Sequence, residues 1–141
     1  MARQQHKLRH IAISVKDVAE AQNFFEDAFG MTKAGNAQNG IYMTDGVMNV
    51  ALLAKGGKVD GIASDKPYYG VMHFGMWVDD LEQAEEQAKQ AGAVHFQGRP
   101  PNTPNSYYEV KYRDPTGIVF DITASGWLGA VKNVKPVEDH G

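Results

Sequence analysis

Apolar and polar positions alternate in two short stretches of this chain, and behind each stretch apolar residues recur at helical spacing. In residues 10–15, Ile11, Ile13 and Val15 alternate with His10, Ala12 and Ser14, the period of two that gives a strand two different faces. Val18, Ala21, Phe25 and Ala28 then form a helical stripe, with Asp17 ahead of it as N-cap and Gly30 behind it as the stop. The same order returns further on. Phe74, Met76 and Val78 make one strand face, Asp79 or Asp80 caps, and Leu81, Ala84, Ala88 and Ala91 form a stripe that ends near Gly92.

These two stretches are copies of one another. HIAISVKDV at residues 10–18 and HFGMWVDDL at residues 73–81 share His, a small residue two places on, then Val, Asp and an aliphatic residue, at an offset of 63 positions. Three strand-like runs follow each helix: Met31–Ala34, Ile41–Thr44 and Val47–Ala54 in the first copy, then Val94–Gln97, Tyr107–Tyr112 and Gly117–Thr123 in the second. The pattern predicts an α+β fold of two tandem βαβββ modules, residues 7–54 and 71–123, within one domain spanning residues 1–141. A linker at 55–70 joins them and a tail at 124–141 follows. Each helix has one apolar face, so both should cover the same side of a sheet.

Strand phase then sorts the side chains, because residues two apart point the same way. If Ile11, Ile13, Val15, Phe74, Met76 and Val78 face the helices, His10, Ala12, Ser14, His73, Gly75 and Trp77 lie opposite. In the same way Met48, Val50, Leu52, Ile118, Phe120 and Ile122 take the helix side. Asn49, Ala51, Leu53, Val119, Asp121 and Thr123 are left on the other. A lone histidine on a half-buried strand is ordinarily a core or surface residue. Here two repeat-equivalent histidines stand beside small residues, and Asp121 sits between Phe120 and Ile122, where a carboxylate needs a cation or donors to stay charged. Two imidazoles and a carboxylate form a facial triad with open coordination positions, so His10, His73 and Asp121 are the expected metal ligands.

Other residues are candidates for chemistry beside that triad. Tyr107, Tyr108 and Glu109 lie on the strand next to that of Asp121; Tyr108 would orient an oxyanion and Glu109 act as a base, with cross-strand packing and a solvated charge as the competing reading. Trp77 and Tyr107 would contact a flat substrate, although an indole here equally suits a core or an interface. Arg99, in the loop from Arg99 to Ser106, is placed to meet a substrate carboxylate. His6, His95 and His140 lack repeat partners and read as surface residues.

Composition narrows the chemistry. The 141 residues contain no cysteine, which removes disulfides, thiol catalysis and cysteine-ligated zinc or iron–sulfur sites, leaving imidazole and oxygen as ligands. A net charge of −3 with scattered Lys and Arg gives no footprint for nucleic acid. No apolar run approaches the roughly 20 residues of a membrane helix, and the start lacks a signal-peptide core, so a cytoplasmic protein with a small-molecule partner is expected.

With RHIAISVKDVAEAQNFFEDAFGM, MHFGMWVDDLEQAEEQAKQAGA and the DPxG turn of YRDPTGIVFDI, residues 7–123 resemble the vicinal oxygen chelate superfamily of glyoxalases, bleomycin-resistance proteins and extradiol dioxygenases. The resemblance implies an open, curved, eight-stranded mixed sheet around a divalent metal, often in a homodimer, for which the tail around Trp127 and Leu128 offers a contact. Ligands in that superfamily sit on the first and last strands of each module, which maps them to His10, Ala51, His73 and Asp121. Ala51 cannot ligate, and Asp121 stands where Glu is usual. The three-ligand set that remains is similar to those of extradiol dioxygenases and fosfomycin thiol transferases. The expectation is a metal-dependent enzyme holding Fe²⁺ or Mn²⁺, with Ni²⁺ or Zn²⁺ also compatible, whose substrate chelates the ion through neighbouring oxygens. A dioxygenase-like reaction is favoured over a glyoxalase-type lyase or isomerase or a thiol transfer, and a metal-free binding protein of the bleomycin-resistance kind is the other reading.

Overall fold

The computed structural model describes residues 3–59, 61, 64–98 and 109–135. Both helices begin where a carboxylate captures an orphaned N–H: Asp17 accepts from the Glu20 amide at 2.9 Å to start α1 (Val18–Phe29), and Asp80 from the Gln83 amide at 3.0 Å to start α2 (Leu81–Gln90). α1 stops at Gly30, whose φ of 65° is the left-handed cap a side chain would strain. Asp17→Ala should cost about 1 kcal/mol and Asp17→Asn a few tenths, read as shifts of the urea midpoint.

Around the helices run β1 (Lys7–Ser14), β2 (Thr32–Ala37), β3 (Gly40–Thr44), β4 (Asn49–Leu53), β5 (Gly70–Trp77), β6 (Val94–Gly98), β7 (Val110–Arg113) and β8 (Val119–Thr123). They form one eight-stranded mixed sheet in the order β2-β3-β4-β1-β5-β8-β7-β6, open at the edges β2 and β6. β1 pairs parallel with β4 and β5 parallel with β8, while β1 and β5 join the halves antiparallel. Two cores lie on the helix side, as the stripes require. Val18, Ala21 and Phe25 pack on Met43, Val50 and Leu52, and Leu81, Ala84 and Ala88 pack on Val110, Phe120 and Ile122. The second core also encloses Tyr112, whose hydroxyl donates to the buried Glu85 carboxylate at 2.7 Å.

Some expected strand bounds are too long, and the cause is local. The Asp45 carboxylate accepts from the amides of Val47 and Met48, and that of Asp114 from Thr116 and Ile118. These side-chain bonds hold Val47, Met48 and Ile118 in turns, so β4 starts at Asn49 and β8 at Val119, and Ile118 is 53% exposed rather than on the helix side. Ala28, expected in the α1 stripe, is exposed in the last turn.

The tail is also tied to the sheet as far as Lys132. The Val131 amide donates to the Val47 carbonyl, Thr44 Oγ1 donates to the Gly129 carbonyl at 2.7 Å, and Arg9 donates to the carbonyls of Val131 and Lys132. Lys132 pairs with Asp79. Residues 124–132 thus form a strap tied to β1, β3 and the turn before β4, and Trp127, expected at a contact between chains, is buried within its own chain.

Candidate metal centre

The strand register explains why the chosen residues meet. Gly75 of β5 pairs with His10 of β1 on one side and with Asp121 of β8 on the other. Ala12 pairs with Ala51 as its repeat equivalent Gly75 pairs with Asp121, so Ala51 holds the position of the missing fourth ligand. His10, His73 and Asp121 bring one ligand atom each to within 4.8 Å of one another. The Nε2 atoms of His73 and His10 lie 2.9 and 3.6 Å from Asp121 Oδ2.

Asp121 is wholly buried, and its Oδ2 has no hydrogen-bond partner. The nearer imidazole sits at hydrogen-bond distance without hydrogen-bond alignment. Three ligand atoms that face one another without bonding suit a cation between them better than they suit each other. The other carboxylate oxygen, Oδ1, is held at 2.6 Å by Lys111 Nζ. Burial works to raise the Asp121 carboxyl, but the close approach of His73 and the Lys111 charge outweigh it and hold the group well below the usual carboxylate range.

Asn49 sets the tautomer of His10. Its Nδ2 donates to the Leu128 carbonyl at 2.7 Å, which leaves Oδ1 as an acceptor 2.6 Å from His10 Nδ1. Nδ1 therefore carries the hydrogen, and Nε2 turns its lone pair toward Asp121. Burial pushes the His10 pKa down to about 4 against the pull of Asp121, so the ring is neutral at pH 7, the form a metal requires.

Trp127 stacks on the His10 ring at 4.6 Å and donates from Nε1 to Glu109 Oε1 at 2.6 Å. Lys111 holds Glu109 Oε2 at 3.3 Å. Burial, with Asp121 close by, raises the Glu109 pKa, while Lys111 is raised overall because Asp121 and Glu109 outweigh its burial. The stack needs Gly75: a Cβ there would lie 2.7 Å from the Trp127 ring and 2.9 Å from His10 Cβ. Gly75→Val should cost about 1–3 kcal/mol by overpacking and displace the indole, read as a lower urea midpoint and a changed near-ultraviolet dichroism.

A cavity of about 180 Å³ opens beside the cluster, lined among others by Tyr42, Ala51, Leu53, His73, Glu109 and Lys111. Flat, the strands from β3 to β7 would span about 24 Å, so the sheet must curl for Tyr42 and Lys111 to line one cavity. A depression of about 240 Å³ in the linker touches none of the cluster.

The structure brings together His10, His73, Asp121 and Glu109, and it places Trp77 elsewhere. The Trp77 indole lies against Gly126 and donates to the Ala124 carbonyl at 3.2 Å, outside the described cavity lining. Arg99, Tyr107, Tyr108 and His140 lie outside the described residues. His95 is exposed and packs edge-on against Tyr112, whereas His6 is half-buried with its Nε2 covered. Sequence reasoning missed Lys111, although a period of two from Glu109 places it on the site face. It put Asn49 on that face without giving it a role, and it read Trp127 as an interface residue.

Comparison with known proteins agrees with the fold. The family model described as Glyoxalase/Bleomycin resistance protein/Dioxygenase superfamily matches residues 7–122. No curated protein matches the chain. Among solved structures, the 2,3-dioxygenase LapB from Pseudomonas sp. KL28 is similar with a TM-score of 0.62 at 16% identity, over 88% of this chain and 42% of that one. The Mn(II)-bound glyoxalase from Novosphingobium aromaticivorans gives 0.62 at 17%, over 93% and 44%. The methylmalonyl-CoA epimerase from Mycobacterium tuberculosis gives 0.58 at 20%, over 82% and 85%. The chain thus spans less than half of the first two and most of the third. At these identities the likeness carries the fold and not the reaction.

Proposed function

The chain belongs to the Glyoxalase/Bleomycin resistance protein/Dioxygenase superfamily, and we propose that it is a metal-dependent enzyme acting on a small substrate with two neighbouring oxygens. The observation that carries this reading is the buried, unbonded Asp121 Oδ2 with two imidazole nitrogens turned on it. His10, His73 and Asp121 would hold a divalent ion, Fe²⁺ or Mn²⁺ by ligand type, which supplies Lewis-acid polarisation of the substrate oxygens and, as iron, a site for dioxygen.

The chain's own residues prepare the rest. Asn49 keeps the His10 lone pair directed inward, and the Trp127 ring shields one face of that imidazole from water. Glu109, placed by Trp127 and Lys111 at the cavity wall, takes a proton from a substrate hydroxyl. Ala51 leaves open the quadrant a fourth ligand would fill, and for that reason a dioxygenase-like reaction is favoured over a lyase or isomerase. Anaerobic loading with Fe²⁺ or Mn²⁺, then oxygen uptake with catechols and α-hydroxy ketones, tests this. Stoichiometric uptake is expected; turnover of the ketones without oxygen would overturn the dioxygenase assignment. Asn49→Ala should weaken Mn²⁺ binding about 10–100-fold, measured by titration, because the ring loses the partner that fixes its tautomer.

One observation favours a metal-free binding protein instead. The 2.6 Å contact with Lys111 already gives Asp121 a countercharge. That reading expects no divalent-ion affinity.

A further inference from the structure

One core position is filled by a ring in the first module and by a methyl group in the second. At the offset of 63 residues that relates the helices, Phe25 of α1 corresponds to Ala88 of α2. Phe25 packs in one core with Val50 and Leu52, which flank Ala51 in β4. Phe120 and Ile122 flank Asp121 in the same way in β8, and Ala88 packs with them. Phe120 is larger than Val50, yet the exchange does not close the space. A pocket of about 140 Å³ remains, lined by Ala84, Ala88 and Ala91 on one side and by Met76, Phe120 and Ile122 of the sheet on the other.

This pocket suits an apolar occupant better than water. Its polar side chains among the described residues are His6 and Gln87. The Gln87 amide is engaged at both ends, accepting from the Gln4 N–H at 2.9 Å and donating to the Gln4 carbonyl at 3.0 Å, and the His6 Nε2 is covered. A trapped water needs two to four polar partners, whereas an apolar cavity of about 150 Å³ is large enough for benzene. A second copy of the chain could offer the exposed rings of Phe24 or Phe29. Charge opposes that: α1 carries Glu20, Glu26 and Asp27, α2 carries Glu82 and Glu86 beside the pocket, and Lys89 is the one cation on either helix. Seating α1 on α2 of another chain would set like charges together.

We propose that this pocket is a second ligand site, which takes a small uncharged apolar ring of about the size of benzene in the place that Phe25 fills in the first module. It lies on the helix side of the sheet, opposite the face that carries Asp121, and it stands independently of the metal-centre reading. The test is a titration of the full chain, without added metal, with fluorobenzene followed by ¹⁹F nuclear magnetic resonance. Burial of one such ring corresponds to a saturable dissociation constant on the order of 1 mM. Benzene should displace the probe and benzoate, the same ring with a charge, should not. Ala88→Phe supplies the missing ring from within the chain and should weaken the probe at least about tenfold, with an unchanged or higher urea midpoint. If that variant does not fold, Ala91→Leu crowds the pocket from its exposed edge and should weaken the probe in the same direction. No saturable binding to the wild-type chain overturns the proposal, as does a folded Ala88→Phe or Ala91→Leu chain that binds as tightly as wild type. Self-association of the wild-type chain that Ala88→Phe abolishes would give the pocket to a second copy and overturn it too.

Discussion

Asp121→Asn is expected to lower stability and abolish divalent-ion binding together. The carboxylate carries both effects on different oxygens: Oδ1 pairs with Lys111 at 2.6 Å, and Oδ2 faces the two imidazoles. Removing its charge leaves Lys111, only 15% exposed, with the more distant Glu109 as its remaining carboxylate partner, and breaking a buried pair in this way costs on the order of 3 kcal/mol. Loss of a direct ligand should weaken Mn²⁺ by more than the roughly 100-fold upper figure for an outer-shell change. The two effects separate in the double variant Asp121→Asn/Lys111→Met, in which no unpaired cation remains. Its urea midpoint should recover toward wild type while metal affinity does not. Recovery of neither would mean that Asp121 supports the fold by a route other than the Lys111 pair.

Trp127→Ala should cost about 3–5 kcal/mol, the range for deleting a large buried aromatic. The residue is 5% exposed, and its ring covers His10 while its N–H holds Glu109. Trp127→Phe keeps a ring over His10 and loses only the bond to Glu109, a loss of about 1.5–3 kcal/mol for a hydrogen bond to a charged group. Urea unfolding of the two variants checks the order. A Trp127→Ala chain as stable as wild type would mean that the strap lies on the sheet without holding it.

The strand–helix pairs and the triad were legible because each rests on short-range periodicity. Alternation in β1 and β5 has two chemically distinct faces, and the repeat at an offset of 63 positions fixes which face of each is shared. His10, His73 and Asp121 follow from phase alone. Lys111 was legible in principle, since Val110 and Tyr112 mark the core face of β7 and their neighbours must face the other way. Knowing that it meets Asp121 takes the register, in which residue 111 pairs with residue 121. Trp127 was not legible. It lies in an aperiodic segment placed by backbone hydrogen bonds to β1, β3 and the turn before β4, and no pattern in residues 124–135 points to them. Asn49 needed both the register with His10 and the strap carbonyl that orients its amide.

In the proposed centre three side chains, and not four, hold a divalent ion. Its most direct test is metal content after equilibration with Mn²⁺ and removal of free ion, measured by elemental analysis on the wild-type chain and on His10→Ala/His73→Ala. One ion per chain in the wild type and none in the variant is the result the geometry predicts. A folded wild-type chain that retains no Mn²⁺ and shows no affinity for Fe²⁺, Ni²⁺ or Zn²⁺ would contradict it, and would leave Asp121 paired with Lys111 at 2.6 Å in place of an ion.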